Sequence, residues 1–121
     1  MSISNYYEDA LLNSLRNASA AVANVYVKLH IGDPGEAGTS NPATETTRKV
    51  VTFAAASGGS MASNADVSWT SVAGSEDYTH FTLWDNVSAG NCLWSGTITA
   101  NAVTAGDTFT IASGNLTLTL D

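Results

Sequence analysis

Two histidines (His30 and His80), one cysteine (Cys92) and eleven acidic residues are the side chains with which this chain could do chemistry. A hydrolytic nucleophile needs a Ser or Cys held against a base. Serines are plentiful, but none sits in a G-x-S-x-G elbow. Cys92 lies in the apolar run Cys92-Leu93-Trp94 with no basic neighbour to draw off its proton, so a buried, inert thiol is expected. Each histidine stands alone, outside any H-x-x-x-H or C-x-x-C spacing. Alternation puts His30 opposite the Val25/Val27/Leu29 face, where a surface or hydrogen-bonded histidine is the ordinary expectation. A two-histidine metal site would need the two segments to pair and an acid, such as Asp33, to approach. The expectation is therefore no catalytic residue, no metal and no cofactor.

The acids point the same way. Asp33 and Glu36 could offer oxygens to calcium, but the D-x-D-x-D alternation is missing and Pro34-Gly35 already explains a turn. Asp66, Glu76, Asp77, Asp85 and Asp107 fall near expected strand ends, where acids serve turns or solubility. Nothing singles out two of them as a glycosidase pair. Trp69, Trp84 and Trp94 lie in three expected strands. Core or interface packing is the ordinary use of such large apolar area, and exposed platforms for sugar rings are the sharper alternative. The sequons at Asn17, Asn86 and Asn115 matter only in a secretory pathway.

Of the 121 residues only 12% are charged, with eleven acids against four bases (Arg16, Lys28, Arg48 and Lys49) and a net charge of −7. That balance argues against a nucleic-acid partner, which needs clustered cations, and against an anionic membrane surface. No stretch is long and apolar enough to span a bilayer. Met1 to Tyr7 lacks the basic region and apolar run of a secretion signal, so folding in a cytoplasm is expected. A hydrophobic fraction of 44% suffices for one domain over 1–121.

The elements that must position these residues follow from period. Tyr7, Leu11 and Leu15 recur every four, with Leu12 and Ala18 alongside, predicting an amphipathic helix over 4–17. Asn5 followed by Glu8 reads as its capping box, with Arg16 in the last turn. After an Ala-rich link (18–23) the period becomes two. Val25, Val27, Leu29 and Ile31 alternate with Tyr26, Lys28 and His30, a half-buried strand. Residues 32–47 form a long loop of turn residues, a length that is often functional. Six more strands are expected at 49–54, 65–70, 78–84, 91–98, 107–112 and 115–120, the last two forming a hairpin around Ser113-Gly114. The fold class is mainly β: an antiparallel sandwich or jelly-roll-like barrel over 24–121, with one N-terminal helix.

Taken in order, certain segments carry a resemblance. They are Ser4-Asn5-Tyr6-Tyr7-Glu8, the strand Val25 to Ile31 running into Gly32-Asp33-Pro34-Gly35, and Arg48-Lys49-Val50-Val51-Thr52-Phe53. Asn64 to Trp69, Thr79 to Asp85, Asn91 to Gly96 and Ala105 to Phe109 follow, closing on Leu116 to Asp121. This resembles a family of small tailed-phage virion proteins labelled tail fibre, minor tail or capsid decoration protein. The resemblance implies a non-enzymatic virion component whose partner is the major capsid protein or a tail protein of the same particle. A cement protein on the capsid surface is the leading expectation. A minor tail or tail-fibre component touching the host, with Trp69, Trp84 or Trp94 stacking on glycans, is the alternative. It also implies a homo-oligomer, with a trimer expected. Candidate partner contacts are Tyr6, Tyr7, Leu11 and Leu15 on the helix and Asp33 and Glu36 in the loop.

Overall fold

Strict alternation in Val25–His30 makes one side of the main sheet apolar and the other polar, and everything else is arranged around that difference. A computed structural model describes residues 2–100 and 102–120. Met1, Asn101 and Asp121, which the expected 1–121 domain includes, lie outside the described residues. The order is β1 (Ser2–Ile3), α1 (Asn5–Ser14), β2 (Val25–His30), β3 (Lys49–Val51), β4 (Ser60–Ala62), β5 (Val67–Trp69), β6 (His80–Trp84), β7 (Cys92–Thr97), β8 (Phe109–Ile111) and β9 (Thr117–Thr119). Five strands form an antiparallel sheet in the order β1-β7-β6-β2-β3, while β4 pairs with β9 and β5 with β8. No ladder closes on itself, so of the two expected architectures the chain has the open, sandwich-like one and not the barrel.

Register decides which side chains share a face. Val27 lies opposite Leu83, Leu29 opposite Phe81, and Leu83 opposite Trp94. These residues join Val67, Trp69, Phe109, Ile111, Leu116 and Leu118 from the smaller ladders in one core. Phe109 is its centre, tilted 5.8 Å from Trp69 and edge-on 5.0 Å from Tyr78. Each such aromatic pair contributes about 0.5–1.5 kcal/mol beyond area burial. A bulge gives β7 an extra residue, because Leu83 faces Trp94 but Trp84 faces Cys92. Leu93 is the surplus residue, and the bulge lets Leu93 and Trp94 both enter the core.

Several expected boundaries move. The helix runs over 5–14, not 4–17, and Ser4, not Asn5, is its N-cap: the Ser4 hydroxyl accepts from the Tyr7 N–H at 3.2 Å. Past Ser14 the next amides reach back three residues (Arg16 to Asn13, Asn17 to Ser14) and that of Ala18 five, to Asn13, and Asn17 turns left-handed at φ 65°, which ends the helix and leaves Arg16 outside it. Ile31 is exposed and beyond β2. The expected hairpin of the last two strands does not form, since β8 pairs with β5 and β9 with β4. Ser63 comes between them, its hydroxyl accepting from the Gly114 and Leu116 amides and its own N–H donating to the Leu116 carbonyl. Strands β1 and β4 were not foreseen, being too short to show a period.

Candidate interaction surfaces

The polar face of the main sheet carries Tyr26, Lys28, His30, Thr82 and Trp84, and the 32–47 loop folds back over it. Gly38 makes this possible. A methyl group there would sit 2.5 Å from Cys92 Sγ and 3.2 Å from Thr82 Cγ2, and its φ of +71° suits glycine. Beneath the loop a directional chain of hydrogen bonds runs through His30. The Ser40 carbonyl can only accept, so His30 Nδ1–H donates to it at 2.9 Å. Trp84 Nε1–H donates to Thr82 Oγ1 at 2.7 Å, and the Thr82 hydroxyl then donates to His30 Nε2 at 2.9 Å. That order holds the imidazole neutral. Burial also lowers the His30 pKa, outweighing the Ser40 carbonyl, and nearby Lys28 and His80 push the same way.

His80 does lie directly opposite His30 across β2 and β6, so the pairing a metal site needs is present. The third ligand is not. Asp33 Oδ1 accepts from the Gly35 N–H in its own turn, and no group of three His, Cys, Asp or Glu side chains comes together among the described residues. Cys92 is buried, and burial pushes its thiol up to about 11, so it is no nucleophile near neutral pH.

Most of the acids near turns serve the backbone. Glu76 accepts from the Thr44 and Glu45 amides; Glu45, itself buried, accepts from Thr47 and Ala73. Asp85 accepts from Asn91, Asp107 from Thr104, and Asp66 from Ser113. Such capping satisfies amides that the short strands leave over. It also pins the far end of the loop to the segment before β6.

The tryptophans divide by location but share burial. Trp69, Trp84 and Trp94 are 1%, 7% and 6% exposed, so no ring face is presented to solvent as a stacking platform. Trp69 Nε1–H donates to the Thr47 carbonyl at 2.8 Å. Trp84 is covered by Arg48, whose guanidinium carbon lies 4.1 Å from the ring centroid and whose Nη1 donates to the Asn86 and Ala89 carbonyls. Sequence reasoning missed Arg48, Thr82 and Ser63, because their partners are distant along the chain and no spacing marks them.

Helix α1 is anchored at one end and bare along much of its length. Ser4 holds it to β7 by donating its N–H to the Leu93 carbonyl and its hydroxyl to the Cys92 carbonyl. Tyr7 packs against the core and donates its hydroxyl to the Ala20 carbonyl. No helix residue is fully buried, and Leu12 and Leu15 are 65% and 86% exposed. Between the helix and the β4/β9 ladder lies an apolar groove of about 220 Å³, lined by Tyr7, Leu11, Met61, Trp94, Leu118 and Leu120 among others. At the other end of the helix a wider cleft of about 480 Å³ is lined by Tyr6, Glu36 and Trp84 among others. The fold thus groups Tyr7, Leu11 and Trp94 in one place and Tyr6, Glu36 and Trp84 in another. Leu15 and Asp33 border neither, and Trp69 is in the core.

A protein-family model described as podophage GP4 fiber I protein gp80 matches residues 2–119. No curated protein matches the chain. With nearly the whole length covered, the chain belongs to this podophage fibre family: it is a virion-associated structural protein of a tailed phage.

Proposed function

From membership of that fibre family, we propose that the chain is a non-enzymatic building block of the virion's fibre and not a cement on the capsid shell. The observation that carries this is the family match over 2–119, whose description names a fibre. The chemistry of the site supports it. The buried histidine is held between Ser40 and Thr82, the thiol is protonated, and most of the acids near turns are engaged with backbone amides. What remains free is surface. Copies associate through α1 and its C-cap, where exposed Leu12 and Leu15 and the groove beside Leu11 and Met61 offer apolar area that a lone chain leaves in water.

The test is location. Purified particles would be examined by cryo-electron microscopy, with the chain's mass-spectrometric abundance scaled to the major capsid protein. Fibre placement predicts density outside the shell at the tail and a copy number well below that of the capsid subunit. Density spread over the shell, with copies in proportion to the capsid subunit, would instead establish the cement reading.

A further inference from the structure

Lys28 is a cation without an acid. Alternation with Val27 and Leu29 turns it away from the core, and Thr82 lies opposite it on β6. Burial lowers its pKa, and nearby Arg48 pushes the same way. Asp85 offsets part of the charge on Arg48, whereas no carboxylate among the described residues does so for Lys28. Apolar surface lies beside the two cations. Val50, paired with Tyr26 across β2 and β3, is 53% exposed. Val87, in the turn whose carbonyls Arg48 holds, is 56% exposed.

The complement is on α1. Glu8, Leu12 and Leu15 fall at i, i+4 and i+7 and form one stripe, while Tyr7 turns inward to the core. Leu15 keeps the helical conformation as the C-cap, at φ −71° and ψ −13°, so it stays in that stripe. Glu8 and Asp9 are exposed, and Leu12 and Leu15 are the most exposed large apolar side chains among the described residues. A helix laid on a second helix would bring two acids from each and no base, since 5–14 has none. Laid on the β2/β3 face, the same stripe offers Glu8 to Lys28 and its leucines to Val50 and Tyr26. Within one chain the two surfaces stay apart, because α1 is anchored on β7 through Ser4 and β6 lies between β7 and β2.

We propose that copies of this chain join head to tail, the Glu8/Leu12/Leu15 stripe of one α1 lying across the Tyr26, Lys28 and Val50 face of the next. This deepens the fibre reading, and rests on it, by naming the surface on which α1 docks. A contact between two different surfaces leaves one of each free, so it repeats from copy to copy.

The test uses the full chain, followed by sedimentation velocity over a concentration series. Leu15→Glu spoils the stripe, Lys28→Glu spoils the face, and Val50→Glu is a second face variant at an exposed position. Each alone should weaken association roughly tenfold or more. An equimolar mixture of the Leu15→Glu and Lys28→Glu chains should give a heterodimer and nothing larger, because one intact helix then meets one intact face. Adding Glu8→Lys to the Lys28→Glu chain should restore association by reversing the pair. Thermal melts check that the variants fold, and Val50→Glu replaces Lys28→Glu if the latter does not. Face variants that associate as the parent does would overturn the proposal in favour of helix-on-helix pairing. A mixture no larger than its parts, or a parent monomeric at every concentration, would also overturn it. Particle location is measured separately, so failure here leaves the fibre assignment standing.

Discussion

His30 carries the most consequential chemistry of any single residue, though none of it is catalytic. Its Nε2 accepts from Thr82 and its Nδ1–H donates to Ser40, so a second proton would take away the hydrogen bond that the Thr82 hydroxyl donates and force that hydroxyl to turn. Burial, with Lys28 and His80 adding like charge, lowers its pKa below the ordinary value of 6.5. The unfolded chain therefore binds a proton that the folded chain resists. The contribution to stability is complete above pH 6.5 and is lost as pH falls toward the lowered folded value. Urea midpoints should thus decline between about pH 7 and pH 5. In His30→Gln, which can still donate to Ser40 and accept from Thr82, that decline should flatten while stability at pH 7 drops by about 1–2 kcal/mol. An unchanged pH profile in the variant would rule out His30 as its source.

At the scale of the elements, the loop is the surprise. A 16-residue run of turn residues would ordinarily be an exposed arm, and here it is a lid fastened at both ends. His30 holds Ser40, while Glu76 and Glu45 hold residues 44–47 and Ala73. Gly38 touches down on Cys92 and Thr82. Two glycines separate the causes. Gly58 has a similar left-handed φ of +60° but nothing within 4 Å of where a methyl would stand, whereas Gly38 has both the angle and the clash. Gly58→Ala should cost about 1 kcal/mol from backbone strain alone. Gly38→Ala should cost about 2–4 kcal/mol, the excess being overpacking against the sheet. Equal losses in chemical denaturation would mean that the loop lifts off freely.

For the whole molecule, the question is what an acidic chain with a bare helix does in company. Leu15 is 86% exposed, so the described residues cover little of it. Leu15→Glu should leave the melting temperature within about 1–2 °C, as expected for a change outside the core. It should also shift the mass seen by sedimentation towards the monomer. If the parent chain is monomeric at every concentration, or if the variant associates as before, assembly through α1 is excluded.

Much of this was legible in the residues themselves. Alternation in Val25–His30 announces a strand, because a period of two is a local property of a pleated backbone, and the strands at 80–84 and 109–111 follow from short runs set between turn residues. The helix at Tyr7 and Leu11 follows from its period, and the acids beside turn residues follow from what a carboxylate does for spare amides. Pairing was not legible. Whether the strand at Phe109 turns back on the one at Leu118 or joins Trp69 is a choice that no local signal carries, and Ser63, which takes the Leu116 amide, is far from both in sequence. The same holds for the fold of the loop onto His30, the cover that Arg48 lays on Trp84, and the meeting of Tyr6 with Glu36. Each joins residues far apart in the chain, where only the packing of one core fixes who is near whom.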